Sequence, residues 1–191
     1  RGIIGKGWGQ GPQHAKTLHA MFSYLPGLRV VMPSTVKDAR DLLISSVLSP
    51  DPVLYIDDRW LYSLEDDLKD LQEIPLALEG PKIISEGNDI TIVGIGFSTQ
   101  ILREAKQHFD HKNISVELID LRILNPLKPK SIIDSVRKTH HLVVVDNAWK
   151  TCGMASEVVA SIIENIEPNE LYHSPTRINL PDCPAPTSEK L

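Results

Sequence analysis

Cysteine is scarce, with only Cys152 and Cys183 in 191 residues. The two lie far apart, form no CxxC pair, and belong to a chain large enough to do without a disulfide staple, so both read as reduced thiols. Runs of basic residues are missing as well. Twenty Lys and Arg stand against 25 Asp and Glu, for a formal net charge of -5, which leaves no electrostatic footprint for phosphate backbones and argues against nucleic acid as a partner. No segment approaches the ~20 consecutive apolar residues of a membrane span, and the amino terminus lacks the apolar centre of a signal peptide. The expectation is a soluble, cytoplasmic protein with no membrane partner. Disorder and collagen-like repeats are excluded by 41% hydrophobic and 24% charged residues, a globular composition.

The first fifteen residues, RGIIGKGWGQGPQHA, carry five of the eleven glycines and read as a loop that can approach another group closely. TLHAMFSYL then suggests a short helix. LRVVMP reads as a buried strand stopped by proline, Ser34 or Thr35 can cap a helix through DARDLLISSVL, and PVLYID is a second strand. That order suggests a right-handed parallel crossover. The acidic stretch SLEDDLKDLQE reads as a solvated connector, and a domain boundary falls near Pro75 to Pro81, dividing the chain into 1–75 and 81–191. Beyond it, DITIVGIG, ISVELIDLR, HLVVVDNA and TRINL alternate with helical segments starting at Ser98 (a cap), Lys130 and Ala155. The alternation predicts an α/β domain, a mostly parallel sheet sandwiched by helices.

The glycine-rich start is neither of the common nucleotide loops. Lys6 is followed by Gly7, not Ser or Thr, so it is no Walker loop; GxGxxG fails at Gln10, and Gly94 with Gly96 fails at Thr99. His14 lies where an imidazole could be presented into a cleft for proton transfer or hydrogen bonding, or could simply satisfy a loop. His19, five residues on, does not share a metal-binding helix face with it. His140-His141 reads as a helix end. Asp120, Arg122, Asp146 and Asn147 end strands, where ligands bind in parallel sheets, although the capping of loops and mutual pairing are the favoured explanation of them. Gly153 could open an anion-attracting helix or merely permit close packing.

Taken together, GIIGKGWGQGPQHA, PGLRVVMPSTVKDARDLL and SPDPVLYIDD resemble the beta subunit of the thiamine-diphosphate-dependent 2-oxo acid dehydrogenases, the pyruvate dehydrogenase type. EGNDITIVGIGFSTQ, VELIDLRILNPL, KTHHLVVVDNAW, GMASEVVA and LPDCPAPTSEKL are similar to the transketolase carboxy-terminal domain that follows in that subunit. The resemblance is collinear and covers essentially the whole chain. It implies that residues 1–75 end a pyrimidine-binding domain and that 81–191 form the transketolase carboxy-terminal domain. It also implies oxidative decarboxylation of a 2-oxo acid with acyl transfer to a lipoyl acceptor. His14 matches the family's active-site histidine. Ser46, Ser49 and Asp51 match a turn that can hold a monovalent cation such as K+. The implied partners are an alpha subunit, a second beta subunit and a lipoyl-bearing acyltransferase, and the implied cofactors of the complete enzyme are thiamine diphosphate and Mg2+.

The chain departs from the pattern at Ala15, where QHS would place serine, and at Asp57, where a strand-end Glu is usual. The family's upstream glutamate and its GDG motif are not found here, so the isolated 191 residues are expected to hold no thiamine diphosphate and to be inactive. Two other readings remain: a transketolase-like or deoxyxylulose-phosphate-synthase-like ketol transfer, with only Lys6 and Lys16 offered to a sugar phosphate near His14, and a non-catalytic oligomerisation or ligand-binding module.

Overall fold

A computed structural model describes residues 1–6, 11–68, 71 and 73–185. Gly7, Gly9, Gln10 and the end of the LPDCPAPTSEKL motif lie outside them. The elements in chain order are β1 (Gly2–Ile4), α1 (His19–Ser23), β2 (Arg29–Val31), α2 (Val36–Val47), β3 (Val53–Asp58), a 3-10 turn (Arg59–Leu61) and β4 (Lys82–Ser85). They continue with β5 (Ile90–Ile95), α3 (Phe97–His111), β6 (Val116–Asp120), β7 (Ile123–Asn125), α4 (Lys130–Thr139), β8 (Leu142–Trp149), α5 (Met154–Ile163) and β9 (Thr176–Leu180).

Two sheets form, in the orders β1-β3-β2-β7 and β4-β6-β5-β8-β9. β1 and β2 run parallel to β3, as the crossover expects. β6, β5, β8 and β9 are mutually parallel, with β4 added antiparallel at one edge. Side chains alternate along each strand, so each sheet has two faces to bury. In the larger sheet Val93, Ile95 and Val144 meet Ile132 and Val136 of α4 and Val158 and Ile162 of α5. Its other face carries Ile92 and Leu118 under Leu102 and Phe109 of α3. Helices therefore cover both faces, as alternating strand and helix patterns require.

The core does not stop at the boundary read from the sequence. Val30, Met32 and Ile56 of the smaller sheet belong to the same buried cluster as Val93 and Val144 of the larger one. β7 crosses over to pair antiparallel with β2, Val30 opposite Asn125. Arg122, at φ 38°, makes the turn that sends the chain across, and its carbonyl accepts from the Met32 amide at 2.8 Å. A three-residue strand carries too short a pattern to be seen in sequence, and β1, inside the supposed loop, escaped for the same reason.

One of the two expected caps forms and the other does not. Thr35, not Ser34, caps α2, its hydroxyl accepting from the Asp38 amide at 3.1 Å. Ser98 caps nothing: α3 starts one residue earlier, behind Gly96 at φ 56°, a conformation that favours glycine. Gly94 has its own reason, since a Cβ there would stand 2.7 Å from Thr99 Cα and push α3 off its strand.

Ser34 instead donates to Asp120, at 2.5 Å, beneath the junction of the sheets, and Thr99 donates to the other carboxylate oxygen at 3.2 Å. Burial pushes the Asp120 carboxyl up to about 7, with nearby Asp38 acting in the same sense and Ser34, Thr99 and Arg122 opposing. Its ordinary value is 3.8, so between about 4 and 7 the folded chain binds more protons than the unfolded one. The stability this group contributes is therefore present at low pH and lost as pH rises through about 7. Asp120→Asn, which keeps the shape without the titration, is expected to flatten the fall in urea midpoint across that interval. Parallel pH profiles of the two chains would refute this attribution.

Candidate active site

The site gathers at the carboxyl ends of β1, β3 and β8, the position that parallel sheets offer to ligands. His14 sits in a turn closed by its amide on the Gly11 carbonyl at 3.2 Å. Gly11 adopts φ 82°, and a Cβ there would meet the Gln13 amide at 2.6 Å. The His14 side chain is exposed, while its carbonyl accepts from Arg59 Nη1 at 3.1 Å. After His14 burial alternates: Ala15, Thr17 and His19 face inward, and Lys16 and Leu18 face solvent.

Each inward polar residue has a partner from another element. Lys6, just past β1, donates to Thr17 Oγ1 and to the Asn147 carbonyl, and its ammonium lies 5.5 Å from the Trp149 ring centroid, a cation–π contact. Burial lowers the Lys6 ammonium to about 8, against the pull of Asp146 and Asp58. Asp58, at the end of β3, accepts from Asn147 Nδ2 at 3.2 Å and from the Trp60 amide at 3.0 Å. Burial raises its carboxyl, more than those two donors lower it. His19, at 0% side-chain exposure, has Nε2 3.2 Å from Asp146 Oδ2, itself at 0%.

Beside this network opens a cavity of about 330 Å³. Ile4, Phe22, Leu54 and Ile56 give it apolar walls, and Gln13, His14, Lys16 and Arg59 line it with polar groups. Arg1 also lines it but is engaged with Asp57 at 2.6 Å. Asp57, the residue that stands where a Glu was anticipated, holds Arg1 and Tyr62. The charge of the lining is cationic, which suits an anionic molecule with an apolar body.

Other residues singled out in the sequence fall elsewhere. Ser46 donates to the Leu42 carbonyl of its own helix at 2.5 Å. Ser49 and Asp51 do come together, the Ser49 hydroxyl accepting from the Asp51 amide at 3.2 Å, but the Asp51 carboxylate is held by Arg29 at 2.7 Å. Asp120 and Arg122 are absorbed into the seam between the sheets. Asp146 and Asn147, by contrast, join the His14 segment. Sequence reasoning leaves Lys6, Asp58, Arg59, His19, Asp146 and Asn147 unassembled, and position at a strand end is a signal for Asp146 and Asn147. Cys152 and Cys183 are both exposed and unpaired.

Residues 81–191 match the transketolase carboxy-terminal domain family. Among curated relatives, the 2-oxoisovalerate dehydrogenase subunit beta 2, mitochondrial, of Arabidopsis thaliana is 37% identical over 165 residues, 85% of this chain and 45% of that protein. The acetoin:2,6-dichlorophenolindophenol oxidoreductase subunit beta of Bacillus subtilis (strain 168) is 32% identical over 193 residues, 100% of this chain and 55% of that one. The pyruvate dehydrogenase E1 component subunit beta, mitochondrial, of Drosophila melanogaster is 33% identical over 195 residues, 100% and 53%. The chain thus spans about half the length of the curated relatives it matches. A solved split gene transketolase, an inactive beta4 tetramer, superposes with a TM-score of 0.73 at 21% identity, over 94% of this chain and 55% of that one, which speaks for the fold. The resemblance carried by the motifs is thereby upheld, and the chain belongs to the transketolase carboxy-terminal domain family, in the branch whose relatives are named as beta subunits of 2-oxo acid dehydrogenases.

Proposed function

We propose that this chain is a portion of the beta subunit of a thiamine-diphosphate-dependent 2-oxo acid dehydrogenase, which decarboxylates a 2-oxo acid such as pyruvate and passes the acyl group to a lipoyl acceptor. The observation that carries the reading is the exposed His14 at a cavity lined by Lys16 and Arg59. An imidazole can donate a hydrogen bond to an anionic oxygen or move a proton, and the cationic lining attracts a carboxylate. That favours a 2-oxo acid over acetoin, a neutral molecule, as the substrate. Lys16 and Arg59 draw the anion, the apolar walls exclude water around its body, and Arg59 steadies the backbone under His14.

The cofactor supplies the carbanion chemistry when bound. Among the described residues no three acidic, histidine or cysteine side chains converge as ligands of a metal such as a diphosphate-bound Mg2+. Its ligands belong to an alpha subunit on this reading, with a second beta subunit completing the assembly and a lipoyl-bearing acyltransferase receiving the product. K+ would sit at the turn matching Ser46, Ser49 and Asp51. We place the assembly in the cytoplasm. Among the described residues no helix is long and apolar enough to cross a membrane.

The test is expression of the complete reading frame with its partner subunit, followed by dye-reduction assays with a panel of 2-oxo acids, acetoin and ketose phosphates, each with thiamine diphosphate and Mg2+. Turnover with a 2-oxo acid is the expected result. Turnover confined to ketose phosphates would replace the reading with ketol transfer, and none with any substrate would make the chain a non-catalytic module.

A further inference from the structure

The two histidines of the site stand five positions apart, with four residues between them, and differ in exposure. His14 is exposed. His19 is sealed at 0% exposure, and it is the first residue of α1, the short helix packed on the seam between the sheets. We propose that His19 is a positioning residue for His14, locked by Asp146 so that the segment between them holds one register. This rests on the reading of His14 given above.

The geometry is that of a latch. Nε2 of His19 faces Asp146 Oδ2 at 3.2 Å, and Asp146 Oδ1 accepts from the Ala148 amide at 3.1 Å. A carboxylate only accepts, so a ring hydrogen on Nε2 points at it, and the other ring nitrogen is Nδ1. That Nδ1 is buried with no partner among the described residues. Packing alone would not call for a polar pair here, since apolar residues at both positions often match a buried polar pair in stability. What the polar pair adds is a direction: the ring must point its Nε2 at one carboxylate oxygen.

Direction matters because burial between His14 and His19 alternates with a period of two. A slip of one residue would exchange the buried Ala15, Thr17 and His19 for the exposed Lys16 and Leu18, and would carry with it the turn that presents His14. The latch at His19 forbids the slip from one end. Lys6 on Thr17 holds the middle, and Arg59 on the His14 carbonyl holds the other end. Asp146 lies on β8 of the larger sheet while Lys6 and Arg59 follow β1 and β3 of the smaller one. The exposed imidazole is thus set by both sheets at once.

Hydrogen exchange read by peptide mass spectrometry on the 191-residue chain tests the latch directly. His19→Phe is expected to speed exchange of amides 13–20 by about three- to tenfold, the range that one hydrogen bond spans, with peptides of β5 and β6 unchanged. His19→Gln, which can still donate to Asp146, is expected to return most of the protection. Unchanged exchange at 13–20 in folded His19→Phe would overturn the proposal; should that variant not fold, Asp146→Ala replaces it and is held to the same standard. In the complete assembly, His19→Phe is expected to lower turnover in the wild-type background and to add nothing to His14→Ala. An equal loss in both backgrounds overturns the positioning role and leaves His14 as the active-site histidine. Full activity of His14→Ala by itself overturns the reading of the site, and with it the role given to His19.

Discussion

Replacing His14 by alanine in the complete assembly lowers turnover by about 10²- to 10⁴-fold, the usual worth of a positioned acid, base or hydrogen-bond donor. The side chain is exposed and, among the described residues, donates no hydrogen bond that holds the fold, so the thermal midpoint should stay within about 1 °C, as for ordinary surface substitutions. The separation of the two effects is the substance of the expectation. Loss of activity together with loss of stability would mean that the turn from Gly11 to His14 needs the ring for its shape. Unchanged activity at full stability would remove His14 from the mechanism. His14→Gln supplies a finer reading: it retains a donor but cannot exchange a proton near neutral pH, so substantial activity in that variant assigns His14 to binding, and its absence assigns it to proton movement. The measurement is a steady-state assay with the 2-oxo acid varied, since a change confined to KM is the mark of substrate binding.

The sequence made the long, strongly patterned parts legible. Helix α4 was read as KSIIDSVRKT and appears as Lys130–Thr139, because Ile132, Ile133 and Val136 recur on one face and the chain passes into a left-handed residue, His140, at its end. Strands β5, β8 and β9 were visible as apolar runs bounded by turn residues. The elements that escaped are those that exist only by pairing with distant segments. β1 has three residues and is defined by its match to Ile56 through Asp58, and β7 by its match to β2 across more than ninety positions of chain. Local propensity carries no record of such partners.

The site was half legible for a related reason. His14 stood out by its glycine-rich setting and by its place in a motif. Lys6, Asp58, His19, Asp146 and Asn147 came together only when three strands aligned their carboxyl ends. His19 and Asp146 are separated by 127 positions. What identified them was burial of charge: a carboxylate and an imidazole at no exposure must have found each other, and no composition or spacing foretells which ones do.

The largest loss of stability is expected at the turn that joins the two halves. Arg122 is 11% exposed and donates three ways: Nη1 to Asp38 at 2.8 Å, Nη2 to Glu79 at 2.5 Å, and Nε to the Gly80 carbonyl at 2.8 Å. Asp38 and Glu79 are 3% and 8% exposed, so neither can turn to water once the guanidinium is gone. Breaking such a cluster from one side commonly costs about 3–5 kcal/mol, because the remaining charges stay buried. Lys82 still reaches Asp38 at 3.3 Å, which places Arg122→Met toward the lower end. For a chain of this length that corresponds to a fall in thermal midpoint of roughly 6–15 °C, measured by calorimetry. Arg122→Met combined with Glu79→Gln should recover part of it, since the second change removes the charge that the first strands. A fall below about 2 °C would mean that water reaches the cluster and that the ion pairs hold little. The consequence extends to the site, because Arg122 pins α2, the connector and the β6–β7 crossover together. Loosening it lets the smaller sheet, which carries Lys6 and Arg59, shift against the larger one, which carries Asp146. Turnover of Arg122→Met, assayed well below its midpoint, should therefore fall with His14 still in place.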